Sequence, residues 1–327
     1  MGQEKMNLAV AQAPDEITIG IDISKERLDV HVHPHRIVRQ FANDRKGHMQ
    51  LISWVKPQQP ARIIFEATGA YHRALEKALG QAGLAGVKIN PLQARRFAEA
   101  TGKRVKTDPV DAAMLARFGA TLRPDIRPAP DETIDTLSEL LVARRALVKD
   151  RTAALNRAKT LTLSMLKRQN QQHLKQIEDH IAAIDREHAS VLAANAKLRT
   201  RFDILVSIPG LGAATALALL IEMPELGDMS GKQAASLIGL APVTRQSGNW
   251  RGKAFIQGGR GQIRQAIYMP ALVAIRFNAP LKAKYLAMRA AGKPAKVAIV
   301  AIMRKLVVIA NALLRDARTW SPECSLA

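Results

Sequence analysis

The feature that most constrains the fold is the segment from Thr133 to Arg201, which contains neither proline nor glycine. Because those two residues end or weaken helices, their absence over such a length favours long helices. Two groups of apolar residues recur at helical spacing on either side of a polar stretch at 168–173: Leu137, Leu141, Val148 and Leu155, then Leu174, Ile177, Ile181, Ile184 and Val191. We predict two long helices within residues 126–202, forming an antiparallel hairpin or coiled coil.

This helical region separates an N-terminal part, residues 1–125, from a C-terminal part, residues 203–327. Prolines at 124, 128 and 130 mark a linker at its start. Its basic residues are Arg144, Arg145, Lys149, Arg151 and Arg157. Two roles stay open for the region, a dimerisation arm and an arm that holds RNA.

The N-terminal part alternates between short β-branched runs and helical segments. Strands are predicted at 17–24, 27–33, 37–41, 61–68 and 87–90, and helices at 47–55, 71–82, 92–100 and from Asp108 onward. Three strands, a helix, a strand, a helix, a strand and further helices is the element order of an RNase H-like domain. The predicted fold class is therefore α/β for this part and mostly helical for the rest.

The C-terminal part opens with an Ile-Pro-Gly-Leu-Gly turn between two apolar runs in residues 204–220. The pattern resembles a helix-hairpin-helix, in which backbone N–H groups of a glycine turn face a phosphate. A turn between two core helices has the same sequence pattern. A loop rich in glycine and arginine follows at 243–261, and helices continue to about 317.

The net charge of +21, from 49 Lys and Arg against 28 Asp and Glu, indicates a polyanionic partner. No acidic residue lies between Asp228 and Asp316, a window that contains 15 Lys and Arg. Such a window favours contact with nucleic-acid phosphates, although a basic surface that serves solubility is the alternative. Aromatic residues make up only 4%, so phosphate contacts, rather than extensive stacking on bases, are expected to dominate.

The remaining composition favours a cytoplasmic protein without a membrane partner. The single cysteine, Cys324, excludes an internal disulfide and cysteine-based zinc sites. No signal-peptide pattern is visible at the start, and the apolar stretches at 213–221 and 297–303 are too short to span a bilayer.

Four acidic residues stand where metal chemistry can use them. Asp22 lies within the first apolar strand and Glu66 at the end of the fourth, positions where a carboxylate is costly unless it is paired or binds a cation. Asp108 and Asp111 are three residues apart and project from one helix face. Clustered carboxylates suit Mg²⁺, and a pair of such ions can activate an attacking oxygen in phosphodiester chemistry.

Each acid also has a structural alternative. Asp22 can pair with a nearby basic residue, Glu66 can face water, and Asp108 can cap the helix that Asp111 then stabilises. The histidines at 31, 33 and 35 suggest a second metal site, but they have no acid arranged with them, so we interpret them as surface residues.

With these residues in view, the sequence resembles insertion-sequence transposases of the DEDD type, which are bridge-RNA-guided recombinases, over nearly its whole length. The matching motifs are GIDISK with Asp22, FEATG with Glu66, and KTDPVDA with Asp108 and Asp111. The family's nucleophilic serine follows a Gly-Leu-x-Pro element, which is GLAP at 239–242 here, and the matching residue is Ser247.

The resemblance implies a resolvase-like N-terminal domain, a coiled-coil insert and a C-terminal transposase domain. It further implies Mg²⁺ at the four acids, a covalent phosphoserine link between Ser247 and DNA, and excision and insertion of a mobile element. The implied partners are donor and target DNA, a structured guide RNA encoded by the element, and further copies of the chain in a dimer or tetramer.

The residues around Ser247 independently suit a nucleophile that attacks a phosphate. The serine lies in a flexible basic loop, and guanidinium groups stabilise the charge of a phosphoryl transition state. The candidate nucleic-acid-binding residues are Arg245, Arg251, Lys253, Arg260 and Arg264. The rival serine, Ser236, lies in a predicted helix and is expected to pack.

Three other functions compete with the recombinase. A Mg²⁺-dependent junction-resolving nuclease would use water as its nucleophile and would not need Ser247. An actin-like ATP-binding fold matches GIDIS, but the sequence lacks its second glycine-rich phosphate loop. A non-catalytic nucleic-acid-binding protein would explain the charge but not the four acids.

Overall fold

The computed structural model of the chain describes residues 16–66, 71–102, 108–126, 132–248 and 250–321, and for Asp108 and Pro109 it describes the backbone alone. The end of the predicted strand 61–68, most of the proline linker and Cys324 lie outside these residues. The chain divides into two compact units, residues 1–131 and 132–327, and each is described by itself.

The first unit contains a five-stranded sheet in the order β3-β2-β1-β4-β5. The strands are β1 (Thr18–Ile23), β2 (Arg27–His33), β3 (Ile37–Ala42), β4 (Arg62–Glu66) and β5 (Gly86–Ile89). β1 pairs antiparallel with β2 and parallel with β4, and β5 extends the parallel part. The predicted α/β class of this part is therefore confirmed.

Among the described residues, four α-helices accompany the sheet: α1 (Arg45–Val55), α2 (Arg73–Gln81), α3 (Pro91–Ala100) and α4 (Asp108–Leu122). Isoleucines at alternate positions of β1 pack on one face with leucines of α1 and α2. On the other face, Ile64 of β4 packs with Met114, Leu115 and Phe118 of α4. This alternation follows from the period of two in a strand, which sends neighbouring side chains to opposite faces.

The second unit is mostly helical. Its elements are α5 (Glu132–Ala158), α6 (Ser164–Ala193), α7 (Ala196–Val206), α8 (Ala213–Glu222), α9 (Gly231–Leu237), β6 (Gln246–Ser247), β7 (Trp250–Arg251), α10 (Gly261–Phe277), α11 (Ala279–Ala290) and α12 (Ala295–Arg315). The two strands form a small antiparallel hairpin.

α5 and α6 form a long antiparallel pair, which we call the arm. Arg144 pairs with Asp185 at 2.6 Å near its base, and Arg151 with Glu178 at 3.4 Å further out. The break between the helices lies at 159–163, not at the polar stretch 168–173, which is part of α6. That stretch consists mainly of good helix formers, whereas the true break contains the β-branched residues Thr160 and Thr162.

The base of the arm is part of the core of the second unit. Leu137, Leu141 and Leu192 belong to the same buried cluster as residues of α8, α10 and α12. At the Ile-Pro-Gly-Leu-Gly turn, a Cβ on Gly210 would lie 2.8 Å from the carbonyl oxygen of Pro270, so the turn packs closely on α10. This packing fits a turn between two core helices.

α12 is long and apolar enough, by length and composition, to cross a membrane, contrary to the prediction that the apolar stretches are too short. The run at 297–303 is only part of this helix, because apolar residues resume at Leu306 after Arg304 and Lys305. Within the unit, 61% of its most apolar window is buried, which is typical of a central core helix. Buried Asn311 on this helix donates to the carbonyl oxygen of Met229 at 2.7 Å and accepts from the backbone N–H of Gly227 at 2.9 Å.

Candidate functional site

A close approach between α4 and the sheet positions the carboxylates of the first unit. A Cβ on Gly20 would lie 2.1 Å from the carbonyl oxygen of Ala112 and 2.4 Å from the backbone nitrogen of Ala116. A Cβ on Gly119 would lie 2.6 Å from Cγ2 of Thr18. Because only glycine permits these distances, the helix lies directly on β1.

The same contacts fix the direction of the helix. Gly119 lies over the start of β1 and Ala112 lies over Gly20, so α4 runs antiparallel to β1. Its first turn, with Asp108 and Asp111, consequently lies toward the carboxyl end of β1. Asp111 is half-buried, and for Asp108 the structure describes the backbone alone.

Asp22 and Glu66 lie at this end of the sheet and on the face that α4 covers. Asp22 shares its face of β1 with Gly20, since the two are two positions apart in the strand. Gly20 is in register with Ile64, and Glu66 is two residues beyond Ile64 on the parallel strand β4. Both acids are half-buried. The fold thus places Asp22, Glu66 and Asp111, together with the backbone of Asp108, at one end and on one face of the sheet.

These residues offer only oxygen ligands, which fits a hard divalent cation such as Mg²⁺. The side chain of Asp108 is not among those described. Among the described side chains, no three acidic or histidine residues are close enough to form a metal site. The three histidines predicted to be surface residues likewise do not form such a group within the described residues.

Sequence reasoning missed a further acid on this face, Asp29 of β2. It is in register with Asp22 on the neighbouring strand and is only 6% exposed. The amide of Gln40 on β3 donates a hydrogen bond to Asp29 Oδ1 at 2.8 Å. Like charges at directly opposed strand positions repel each other, so Asp29 makes the surroundings of Asp22 more attractive to a cation. The alternation of Leu28, Val30 and Val32 with polar residues was the available signal.

In the second unit, Ser247 lies on a loop whose two ends are held together by glycines. A Cβ on Gly239 would lie 2.2 Å from the carbonyl oxygen of Gly258, and one on Gly259 would lie 2.3 Å from the nitrogen of Gly239. All three glycines have positive φ, between 65° and 74°. Arg264 donates to the carbonyl oxygens of Ile238 at 3.0 Å and Gly258 at 2.5 Å. We call this closure the glycine neck.

Beyond the neck, the loop becomes an antiparallel hairpin. Val243 and Phe255 exchange backbone hydrogen bonds of 2.9 and 3.2 Å. Further out, Ser247 is in register with Trp250, and Gly248 takes a positive φ of 54° at the turn. Ser247 is exposed at this tip.

The predicted basic residues separate into two groups. Arg260 forms a two-bond ion pair with Glu225 at 2.7 and 2.8 Å, and Arg264 closes the glycine neck, so both side chains stabilise the loop from within. Arg245, Arg251 and Lys253 are exposed along the hairpin, and the guanidinium of Arg245 lies 4.8 Å from the centre of the Phe255 ring. This second group is the more exposed of the two.

Ser236 and Lys305 are two further residues of the second unit whose surroundings differ from what the sequence alone indicates. Ser236 is exposed on α9, so the prediction that it packs is wrong: the buried side of this short helix is formed by Ala234 and Ala235. In the acid-free window, burial lowers the pKa of Lys305, and repulsion from Lys284 lowers it further.

Comparison with known proteins identifies relatives for both units. A transposase family profile of the IS110 DEDD type matches residues 19–178. A second profile, described as transposase of the IS116/IS110/IS902 family, matches residues 202–286. The first match includes all four predicted acids, and the second includes Ser247.

Individual relatives extend over nearly the whole chain. The pilin gene-inverting protein of Moraxella bovis is 33% identical over 318 residues, which cover 92% of this chain and 97% of that protein. An uncharacterized 42 kDa protein of the insertion element IS900 from Mycobacterium paratuberculosis is 29% identical over 60% of this chain and 53% of its own length. An uncharacterized 43.6 kDa protein of IS110 from Streptomyces coelicolor is 30% identical over 35% of this chain and 28% of its own length.

Proposed function

The chain belongs to the IS110-type transposases, and from that premise we propose that it excises and inserts a mobile DNA element by RNA-guided strand cleavage and exchange. Family membership itself makes the chain a DNA recombinase or transposase. The finer proposal has three parts, which are a carboxylate site that uses Mg²⁺, a serine nucleophile, and a guide RNA that selects the DNA.

The carboxylate site comprises Asp22, Glu66, Asp108 and Asp111. Its support is the shared position of these residues at one end of the sheet, where α4 approaches β1 at Gly20. Mg²⁺ bound there would stabilise negative charge on the phosphate oxygens as a strand is cut. The role of the protein would be to hold the carboxylates at fixed positions, and the close contact between α4 and β1 supports this role.

The serine step is supported above all by one observation: Ser247 is exposed at the tip of a hairpin whose sequence, residues 243–255, contains three cations and no acidic residue. Its Oγ would form a bond to a DNA phosphorus as the bond to the leaving sugar oxygen breaks, and the serine proton would pass to that oxygen or to solvent. The phosphoserine link conserves the phosphodiester energy, so a second strand's hydroxyl can reverse the step without ATP.

Recognition of DNA through a guide RNA is supported by the distribution of charge and aromatic residues. The acid-free window offers many cations and few aromatic rings, which suits contact with backbones while base pairing selects the sequence. A homo-oligomer, as a dimer or tetramer, is supported by exposed apolar residues on the arm, among them Val142, Leu155 and Met165. The proposed site of action is the cytoplasm.

Inversion of a DNA segment is a second candidate, because the relative from Moraxella bovis is named for inverting a pilin gene. The same cleavage and rejoining steps serve both outcomes. Plasmids that carry the two recombining sites in direct or inverted orientation distinguish excision from inversion by the size of the product.

Ser247→Ala tests the nucleophile. Labelled substrate is incubated with the protein and Mg²⁺ and is separated on a denaturing gel with and without protease. The parent should give a protease-sensitive DNA adduct and recombinant product, while Ser247→Ala should give neither and should still bind DNA and RNA. Ser247→Cys should retain a small part of the activity.

Ser236→Ala is the matched control, since Ser236 is also an exposed serine of the second unit. It should recombine at the parental rate. Cleavage by Ser247→Ala at the parental rate would reject the serine mechanism and favour the nuclease that uses water.

A further inference from the structure

Trp250 lies beside Ser247 on the hairpin. The two residues are directly opposed across β6 and β7. Opposed residues of antiparallel strands extend from the same face, with Cβ atoms about 5 Å apart. The indole therefore borders the position at which a phosphate would meet the serine hydroxyl.

The ring of Trp250 rests on the hairpin backbone. A Cβ on Gly252 would lie 2.4 Å from the ring atom Cη2 and 2.8 Å from Cζ3, so one part of the indole covers this glycine. The backbone N–H of Gly252 donates to the carbonyl oxygen of Arg245 at 2.9 Å, which fixes the chain beneath the ring. The indole is thus supported from below.

Most of the ring nevertheless faces solvent, since Trp250 is 60% exposed. In the described part of the chain, the other exposed ring on this loop, Phe255, is covered by the guanidinium of Arg245, whereas no aromatic ring or guanidinium stacks on Trp250. A large apolar ring of this kind gains free energy when a flat apolar surface covers it.

We infer that Trp250 stacks on an unpaired base of the DNA strand whose phosphate Ser247 attacks. The hairpin, residues 243–255, carries Arg245, Arg251 and Lys253 as exposed cations and has no acidic residue in its sequence, so a polyanion is the favoured occupant. A DNA strand presents phosphates to these cations and a base face to the indole together. Because bases of an intact duplex cover one another, the ring selects a strand that is open beside the reacting phosphate.

This inference rests on the proposed function in its choice of strand, but its test does not require cleavage. Tryptophan fluorescence of the full chain with Ser247→Ala is measured during titration with oligothymidylate, with an abasic oligonucleotide of equal length, and with oligouridylate. The other two tryptophans, Trp54 and Trp320, are half-buried and should change little. Oligothymidylate should quench the fluorescence, and the abasic strand should not.

Trp250→Ala should remove the quenching and weaken oligothymidylate binding by about 5-fold to 150-fold, with little effect on the abasic strand. Trp250→Phe should recover part of the affinity. Trp54→Phe is the matched control and should retain both quenching and affinity. Arg251→Ala should weaken binding of both strands, because it removes a phosphate contact.

Equal quenching by the abasic and base-containing strands, unchanged affinity in Trp250→Ala, or quenching by oligouridylate alone would each overturn the inference. None of these results bears on the covalent adduct, which depends on Ser247 and is measured separately. Conversely, a failure of the serine mechanism leaves base-dependent quenching intact.

Discussion

At the scale of single residues, the four acids lead to a direct prediction. Asp22→Asn, Glu66→Gln, Asp108→Asn and Asp111→Asn should each lower Mg²⁺-dependent recombination on the order of 100-fold or more, because each removes one charge and one ligand oxygen from the proposed Mg²⁺ site. Circular dichroism and RNA binding should stay parental. Normal recombination by all four variants would contradict the assignment.

Gly20 gives a second prediction at this scale. Gly20→Ala should lower the free energy of unfolding of the first unit by about 1–3 kcal/mol or more, since its Cβ meets backbone atoms of α4 that cannot move independently. Gly86→Ala is the matched control, because a Cβ there meets only side-chain atoms at 3.4 Å or more. Urea unfolding of the two variants gives the comparison, and equal stabilities would refute the tight contact.

At the scale of structural elements, the hairpin predicts a salt effect. Neutral replacements of Arg245, Arg251 and Lys253 together should reduce the slope of log affinity against log salt by about 2.7 for duplex DNA, which is about 0.9 for each lost phosphate contact. Arg264→Ala should act differently, by loosening the glycine neck and lowering stability. A salt slope that stays at the parental value in the triple variant would show that this face does not meet the backbone.

The arm predicts a pH effect through His188 on α6, which is 1% exposed. Burial lowers the pKa of His188 below its usual 6.5, against smaller raising effects from the Leu137 backbone and Asp185. Above pH 6.5 the residue is neutral in both states; as pH falls below that value, the unfolded chain binds the proton more readily and stability falls. Burial also lowers the pKa of His48 in the first unit, so the stability of that unit should fall over the same pH range.

His188→Leu should therefore weaken the loss of stability of the second unit between pH 7 and 5, as followed by thermal unfolding at a series of pH values. His180→Leu provides the control, since His180 is an exposed histidine on the same helix. The interpretation fails if both variants keep the parental pH dependence.

At the scale of the whole molecule, the sequence predicted elements better than their environments. Alternating strands, helix starts and the long helices of the arm follow from local patterns. The bounds of β1, β2, β3 and β5 and the start of β4 lie within one residue of those predicted. The acids at 22 and 66 were identifiable because a charge inside an apolar strand is costly. These are properties that a short stretch of sequence carries by itself.

Features that depend on distant parts of the chain were not predictable in this way. Asp29 lies opposite Asp22 only because of the register between β2 and β1. Likewise, Arg260 pairs with Glu225, and Arg264 closes the glycine neck, through contacts with residues distant in sequence. The base of the arm shares a core with α12, although the pattern of Leu137 and Leu141 alone suggests a separate helical insert. Single-sequence reasoning has no access to such partners.

The glycine neck has a consequence for how members of such a lineage can diversify. Because the backbone enters and leaves at adjoining points, everything beyond the pairing of Val243 with Phe255 is a self-contained module inserted in a helical scaffold. Lengthening, shortening or exchanging that module changes the reach of Ser247 without altering the route of the chain through the core. Natural variation and engineering can therefore change the tip that carries Ser247 while the helical scaffold keeps its stability.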